Sequence, residues 1–271
     1  MPRDIRHLLN VTEFGHGDTP LLMIHGFGCD QTVWSRLVPL LAADFRLILL
    51  DLPGFGASAP EVLSPSRHAT LAGHVDEIVE LIDALELRDA LVIGHSMGGP
   101  IAMMASVARP GAFRKLCLMC ASARYLDDPP DYIGGYNEEQ LHGLMQLMEQ
   151  NYLDWASTLS QVALGDALTD YHHHDLRERF LAVKPEVLRP LARDIFYGDK
   201  RDLLPRVSVP SVVLQPSVDA IVPREAAEYL QRHLPHGELD ILDCPGHYPQ
   251  LTHPELVALV VRQHLRSPSA N

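Results

Sequence analysis

The chain alternates short apolar runs with longer stretches of helical periodicity. Leu21 to Ile24, Phe45 to Leu50, Ala90 to Ile93 and Lys115 to Ala121 are apolar runs of strand length and read as buried strands. Residues 6–14 read as an edge strand, closed by a turn over residues 15–20 that carries Gly15, Gly17 and Pro20. Between the strands, apolar residues at 71, 75, 78, 79, 82 and 85 have the spacing of an amphipathic helix, and a second helical pattern runs from Met97 to Ala108. Strands alternating with helices predict an α/β fold, with a mostly parallel, doubly wound sheet covered on both faces.

That alternation stops at Ser122. From there to about Gly198 no strand pattern appears. Asn137 can cap a helix, with Gln140 at the capping-box position. Leu141, Leu144, Met145, Met148 and Tyr152 follow at helical spacing, and Trp155, Leu159 and Val162 continue the face to Gly165, a C-terminal stop. Pro185 opens another helix, with Val187, Leu188, Leu191 and Ile195 on one side. The expectation is a helical lid over residues 122–198, inserted in a core made of 1–121 and 199–271. Aromatic residues and methionines of the insertion are expected to make the pocket beneath it apolar. The sheet resumes at Ser211 to Gln215. Pro223 opens a helix to Leu234, Leu239 to Leu242 form the last strand, and a helix from Pro254 to Leu265 precedes a polar tail.

Composition narrows the function classes. With 22 basic and 35 acidic residues in 271, the formal charge is −13 and no basic cluster offsets it, which argues against a nucleic-acid partner. The first ten residues lack the apolar core of a signal peptide, and no apolar run approaches the ~18 residues needed to span a bilayer. A cytoplasmic chain with four reduced cysteines, and no membrane association, is expected. Cys117 and Cys120 mimic a metal or redox pair, but their odd separation along a strand sends them to opposite faces, so core packing is expected. His172, His173 and His174 are adjacent, point in different directions and read as a solvated loop. No metal or cofactor is expected.

The chemistry centres on Gly94-His95-Ser96-Met97-Gly98, which breaks the third buried strand and starts a helix. A serine on so tight a turn needs flanks without side chains, and Gly94 and Gly98 provide them. This is the pattern of the nucleophile elbow of an α/β-hydrolase fold. A glycine-rich strand-to-helix turn without chemistry is the alternative; a strand before and a helix after favour the elbow. A serine hydroxyl needs a neutral imidazole to take its proton, and the imidazole needs a carboxylate to fix its tautomer. The order Ser, Asp, His is met by Ser96, Asp219 and His247, the last two each following a strand. His95 diverges from its neighbour, His253 begins the last helix, Asp243 precedes the turn and Asp240 lies within a strand. His25-Gly26-Phe27-Gly28, after an apolar strand, suits the loop that donates one oxyanion amide, from Phe27, with Met97 donating the second. The reaction expected is acyl transfer on an ester or lactone, since dehalogenases and epoxide hydrolases of this fold carry aspartate at the elbow.

Three stretches extend the pattern to a family. Residues 25–31 (HGFGCDQ), 122–136 (SARYLDDPPDYIGGY) and 149–156 (EQNYLDWA) resemble the RsbQ-like α/β-hydrolases, and the likeness runs nearly end to end. That group includes the bacterial stress regulator RsbQ, which acts with a PAS-domain phosphatase, and the plant karrikin and strigolactone receptors. The resemblance implies a four-helix lid over a hydrophobic pocket, with an intact triad falling on Ser96, Asp219 and His247. The pocket positions it implies are Phe27, Tyr125, Tyr136, Trp155, Phe196 and Val218. It also implies a small hydrophobic ester or lactone as ligand. Two uses of the site compete with plain hydrolysis. One is a slow-turnover sensor that signals to a partner protein. The other is a carbon–carbon bond hydrolase, which needs a cationic clamp for a carboxylate; Arg124 is the nearest candidate.

Overall fold

The computed structural model describes residues 3–165 and 170–266. The apolar runs pair as one seven-stranded sheet, in the order β1-β3-β2-β4-β5-β6-β7. The strands are β1 (Thr12–Phe14), β2 (Pro20–Ile24), β3 (Arg46–Leu49), β4 (Ala90–His95), β5 (Phe113–Met119), β6 (Ser211–Val218) and β7 (Gly237–Pro245). Only β1 runs antiparallel, against β3. All six residues of β4 are buried, as a strand covered on both faces requires. The segment read as one edge strand over 6–14 divides instead into a helical turn, α1 (Ile5–Leu8), capped by the Asp4 side chain, and the short β1. Asn10 at φ +46° makes the break.

Helices α2 (Val38–Leu41), α3 (Leu71–Ala84) and α4 (Gly98–Ala108) follow in the first half of the chain. Between β5 and β6 come α5 (Glu138–Gln150), α6 (Tyr152–Leu164), α7 (Asp170–Ala182) and α8 (Pro185–Tyr197). Helix α9 (Arg224–His233) joins β6 to β7, and α10 (Pro249–Thr252) and α11 (Pro254–Leu265) close the chain. Helices α3 and α4 pack together, as do α2 and α11, and β5 touches both α4 and α11. The Asn137–Gln140 capping box forms as expected. Two departures mark the segment between β5 and β6. The helix expected to run from Asn137 to Gly165 is broken at Asn151, whose side chain accepts the Asp154 amide and so caps α6. The His172–His174 stretch lies within α7 rather than in a loop, stiffened by the Arg179–Asp175 pair one turn apart.

Cys117 and Cys120 are both buried free thiols. Cys120 sits just past the end of β5 at φ +52°, so strand alternation does not set its direction. Among the described residues, no helix is long and apolar enough to cross a membrane. The polar tail lies outside the described residues.

Candidate active site

Ser96 stands between β4 and α4 at φ +51°, a left-handed conformation that costs a non-glycine residue roughly 1–3 kcal/mol. Its amide donates to the Met119 carbonyl at 2.8 Å and its carbonyl accepts from Gly99 at 2.9 Å, which hold the turn. The flanking glycines are steric necessities. A Cβ on Gly94 would lie 2.3 Å from the Gly98 oxygen, and one on Gly98 would lie 2.4 Å from the Ile24 oxygen.

The loop after β7 brings His247 to this serine. His247 Nε2 is 2.9 Å from Ser96 Oγ, and Nδ1 is 2.8 Å from Asp219 Oδ2. Asp219 follows β6 directly. Its Oδ1 accepts the amides of Ile221 at 2.8 Å and Val222 at 3.1 Å, so the carboxylate is fixed before it meets the imidazole. The Asp219 side chain is fully buried and that of His247 nearly so. A carboxylate can only accept, so the network assigns the imidazole proton to Nδ1 and leaves the Nε2 lone pair facing the serine hydroxyl. Cys120 Sγ lies with the Asp219 and His247 ligand atoms inside a 4.8 Å cluster, and burial holds its thiol well above the usual range, hence protonated.

Gly26 packs directly on the elbow: a Cβ there would lie 2.7 Å from His95 Nδ1 and 3.2 Å from Ser96 Cβ. The amides of the next residue, Phe27, and of Met97 donate no hydrogen bond within the described residues. Two backbone donors thus flank the serine without an internal acceptor. Tyr125, buried at the cavity wall, places its hydroxyl close to Ser96, and burial raises its ionisation well above the usual range, so it stays a neutral phenol.

A cavity with ≈ 360 Å³ of space unfilled by protein atoms, part of it continuous with solvent, opens over Ser96 and His247. Of its walls, Phe27, Ile221 and Tyr248 come from residues 1–121 and 199–271, Tyr125 from the stretch just after β5, Leu159 and Ala163 from α6, Phe180 from α7, and Ile195 and Phe196 from α8. Of the pocket positions expected from sequence, Phe27, Tyr125 and Phe196 line the cavity. Trp155 lies one layer behind, completely buried, with its ring edge-on to Phe27 at 6.2 Å and stacked on Tyr152 at 5.1 Å. Tyr136 reaches Phe196 with its ring but lines a neighbouring groove between α5 and α6. Val218 does not reach the cavity: a register shift beside Pro216 ends the regular alternation of β6, and its side chain is 66% exposed. Among the described residues no methionine lines the cavity either; Met145 and Met148 are buried on α5. Sequence reasoning missed Tyr248 and Phe180. Tyr248 directly follows His247 and packs edge-on to its ring, a proximity that the sequence does carry. Phe180 has no such neighbour.

An elbow serine hydrogen-bonded to a late histidine, at the carboxyl edge of a mostly parallel sheet, defines a class. The model of the alpha/beta hydrolase family matches residues 21–259, and the chain belongs to that family. More particularly, it is 35% identical over 259 residues to a probable esterase of Oryza sativa subsp. japonica, covering 95% of each chain. It is 34% identical over 257 residues to a karrikin insensitive 2 receptor of Petunia hybrida, covering 94% of this chain and 95% of the receptor. Among solved structures, a hydrolase from Oleispira antarctica superposes with a TM-score of 0.95 at 29% identity, over 98% of this chain and 97% of that one.

Proposed function

We propose that this chain is a serine hydrolase of small, mostly apolar esters or lactones. The observation that carries the reading is the unbroken hydrogen-bonded line from Asp219 through His247 to Ser96, ending at an apolar cavity. In this reading Ser96 Oγ attacks the substrate carbonyl while His247 Nε2 takes its proton. The amides of Phe27 and Met97 hold the oxyanion, each such donor contributing about 3 kcal/mol. His247 then returns the proton to the departing alkoxide, leaving an acyl-serine. Water, deprotonated by the same nitrogen, releases the acid. Asp219 keeps the imidazole in the required tautomer and stabilises it while charged. Residues 122–198 act as a lid that supplies one wall of the pocket and excludes bulk water. The names of the esterase and hydrolase relatives agree with ester chemistry.

The carbon–carbon alternative lacks its clamp. Arg124 is tied to Asp199 at 2.6 Å and to the Leu126 carbonyl, and no arginine or lysine lines the cavity among the described residues. The sensor reading keeps one specific support: the likeness to a receptor-named relative spans 94% of the chain, insertion included. In that use the same acyl-serine turns over slowly, and the lid surface addresses a partner, in RsbQ-like fashion a PAS-domain phosphatase.

Short-chain p-nitrophenyl esters test the proposal. Many turnovers per chain are expected for the wild type, and Ser96→Ala should fall to the rate of buffer. Turnover surviving in Ser96→Ala overturns the reading. A single burst without later turnover selects the sensor over the metabolic enzyme.

A further inference from the structure

His95 directly precedes the elbow serine, yet its side chain turns away from it. The ring is completely buried among Trp34, His247 and Tyr248, with ring centroids at 6.3, 5.2 and 4.8 Å. Its Nε2 lies 2.8 Å from the backbone carbonyl oxygen of His247. A carbonyl only accepts, so Nε2 carries the proton and donates. Nδ1 is buried without a partner, and burial holds the ring well below its usual range, so it stays neutral with this single proton.

The preceding peptide unit, on the other side of the His247 Cα, is held as well. The His247 amide donates to the Ala163 carbonyl at 2.7 Å, in the last turn of α6. Gly246, at φ +92°, lets that approach happen: a Cβ there would meet the Leu164 oxygen at 3.1 Å. The imidazole of His247 is therefore set by three contacts. Asp219 orients the ring, Ala163 of the insertion holds its backbone N–H, and His95 of the core holds its backbone C=O. The first acts on the side chain; the other two fix the Cα from which it hangs.

We propose that His95 is a positioning residue for the base, holding the His247 backbone against the pull of α6 so that Nε2 meets the serine hydroxyl. The proposal rests on the serine-hydrolase reading. Its consequence is specific. Displacing a reacting group by about 1 Å can cost about a hundred-fold in rate. Losing the His95 hydrogen bond should lower kcat while leaving KM, set by the cavity wall, nearly unchanged.

Four full-length chains test it: wild type, His95→Phe, His95→Gln and His95→Asn. Phenylalanine keeps the ring but has no donor. The glutamine amide reaches about as far as Nε2, and the asparagine amide is one methylene shorter. Ester hydrolysis is followed across pH, beside labelling by a fluorophosphonate and thermal melting. We expect His95→Phe and His95→Asn to lose about ten- to hundred-fold in kcat and in labelling rate, with KM within about three-fold. The acid limb of their pH profiles should shift, since a displaced imidazole loses part of its contact with Asp219. His95→Gln should recover to within about three-fold of wild type. Should His95→Phe fail to fold, the glutamine–asparagine pair decides alone, because both are polar amides and only one reaches. Asparagine equal to glutamine in kcat and in acid limb overturns the proposal. A wild type that neither turns over ester nor takes the label overturns the hydrolase reading, and this proposal with it. A reactive wild type with indifferent His95 variants overturns the positioning role alone.

Discussion

Asp219 has three acceptor contacts besides the imidazole: two backbone amides at 2.8 and 3.1 Å and the Gln215 side chain at 3.4 Å. Its carboxylate is thus anchored independently of His247 and dictates which imidazole nitrogen bears the proton. An Asp219→Asn side chain would keep the size and lose that dictation, since its amide can donate to Nδ1 and so drive the proton to Nε2. An imidazole with its proton on Nε2 cannot accept one from Ser96. We expect kcat to drop about ten-thousand-fold with little change in melting temperature. Steady-state kinetics with the same ester checks this; a loss below about ten-fold would mean that the carboxylate does not set the tautomer. The neighbouring thiol of Cys120 does not substitute for it, being protonated and buried.

At the scale of elements, α6 and α7 grip both sides of the site. The end of α6 holds the His247 peptide, and α7 seals the loop after β2. Phe180 presses so closely on Gly28, itself at φ +71°, that a Cβ there would fall 2.3 Å from the ring. One turn of helix positions the neighbouring Arg179, which pairs with Asp175, reaches Asp30 at 3.4 Å and bonds to Thr32. The guanidinium is mostly buried, so its pairing is worth more than an exposed ion pair. Arg179→Met keeps the apolar stem and removes these bonds. Hydrogen exchange should then speed up at the amides of Phe27 to Trp34 and across residues 171–182, with esterase activity reduced several-fold. Unchanged exchange in both segments would show that α7 does not steady the oxyanion loop. None of this was legible from periodicity. Helix α7 carries few apolar residues, Leu176, Phe180 and Leu181, among histidines and arginines, so no stripe announced it. The break at Asn151 did leave a mark, an asparagine three residues before Asp154, masked by an apolar face that continues across it. By contrast the elbow was legible because its cause is local: two glycines with no room for a Cβ.

Besides His247, four histidines are buried among the described residues, His25, His68, His74 and His95, each held below its usual ionisation range with burial the leading cause. His68 falls to about 4, with Arg67 and Arg3 adding to burial, and His74 to about 3. An unfolded chain binds protons at these rings near pH 6.5, whereas the folded chain refuses them until about pH 4 and 3. The stability they contribute is therefore complete above pH 6.5 and is lost as pH falls. In that window His74 alone contributes a slope of about 1.4 kcal/mol per pH unit. Urea unfolding at pH 7.5, 6.5, 5.5 and 5.0 should show stability declining toward acid, and His74→Phe should flatten the curve by about one proton. Equal stability at pH 7.5 and 5.0 would refute it.

A mostly parallel sheet and the meeting of residues 96, 219 and 247 followed from the alternation of hydrophobic runs with helical patterns and from the order of the elbow serine, aspartate and histidine along the chain. The cavity walls did not follow, because they depend on which side of each inserted helix turns inward. Val218 shows a second limit: the family resemblance placed it in the pocket, but the strand that carries it shifts register beside Pro216 and leaves it exposed. The central claim is that one hydroxyl, that of Ser96, is activated by His247. Intact-mass and peptide mapping after brief exposure to a fluorophosphonate tests it most directly. The account predicts one adduct per chain, on Ser96, absent in Ser96→Ala and formed at least about a hundred times more slowly in His247→Gln. An adduct on another residue, or equal labelling without the imidazole, would contradict it.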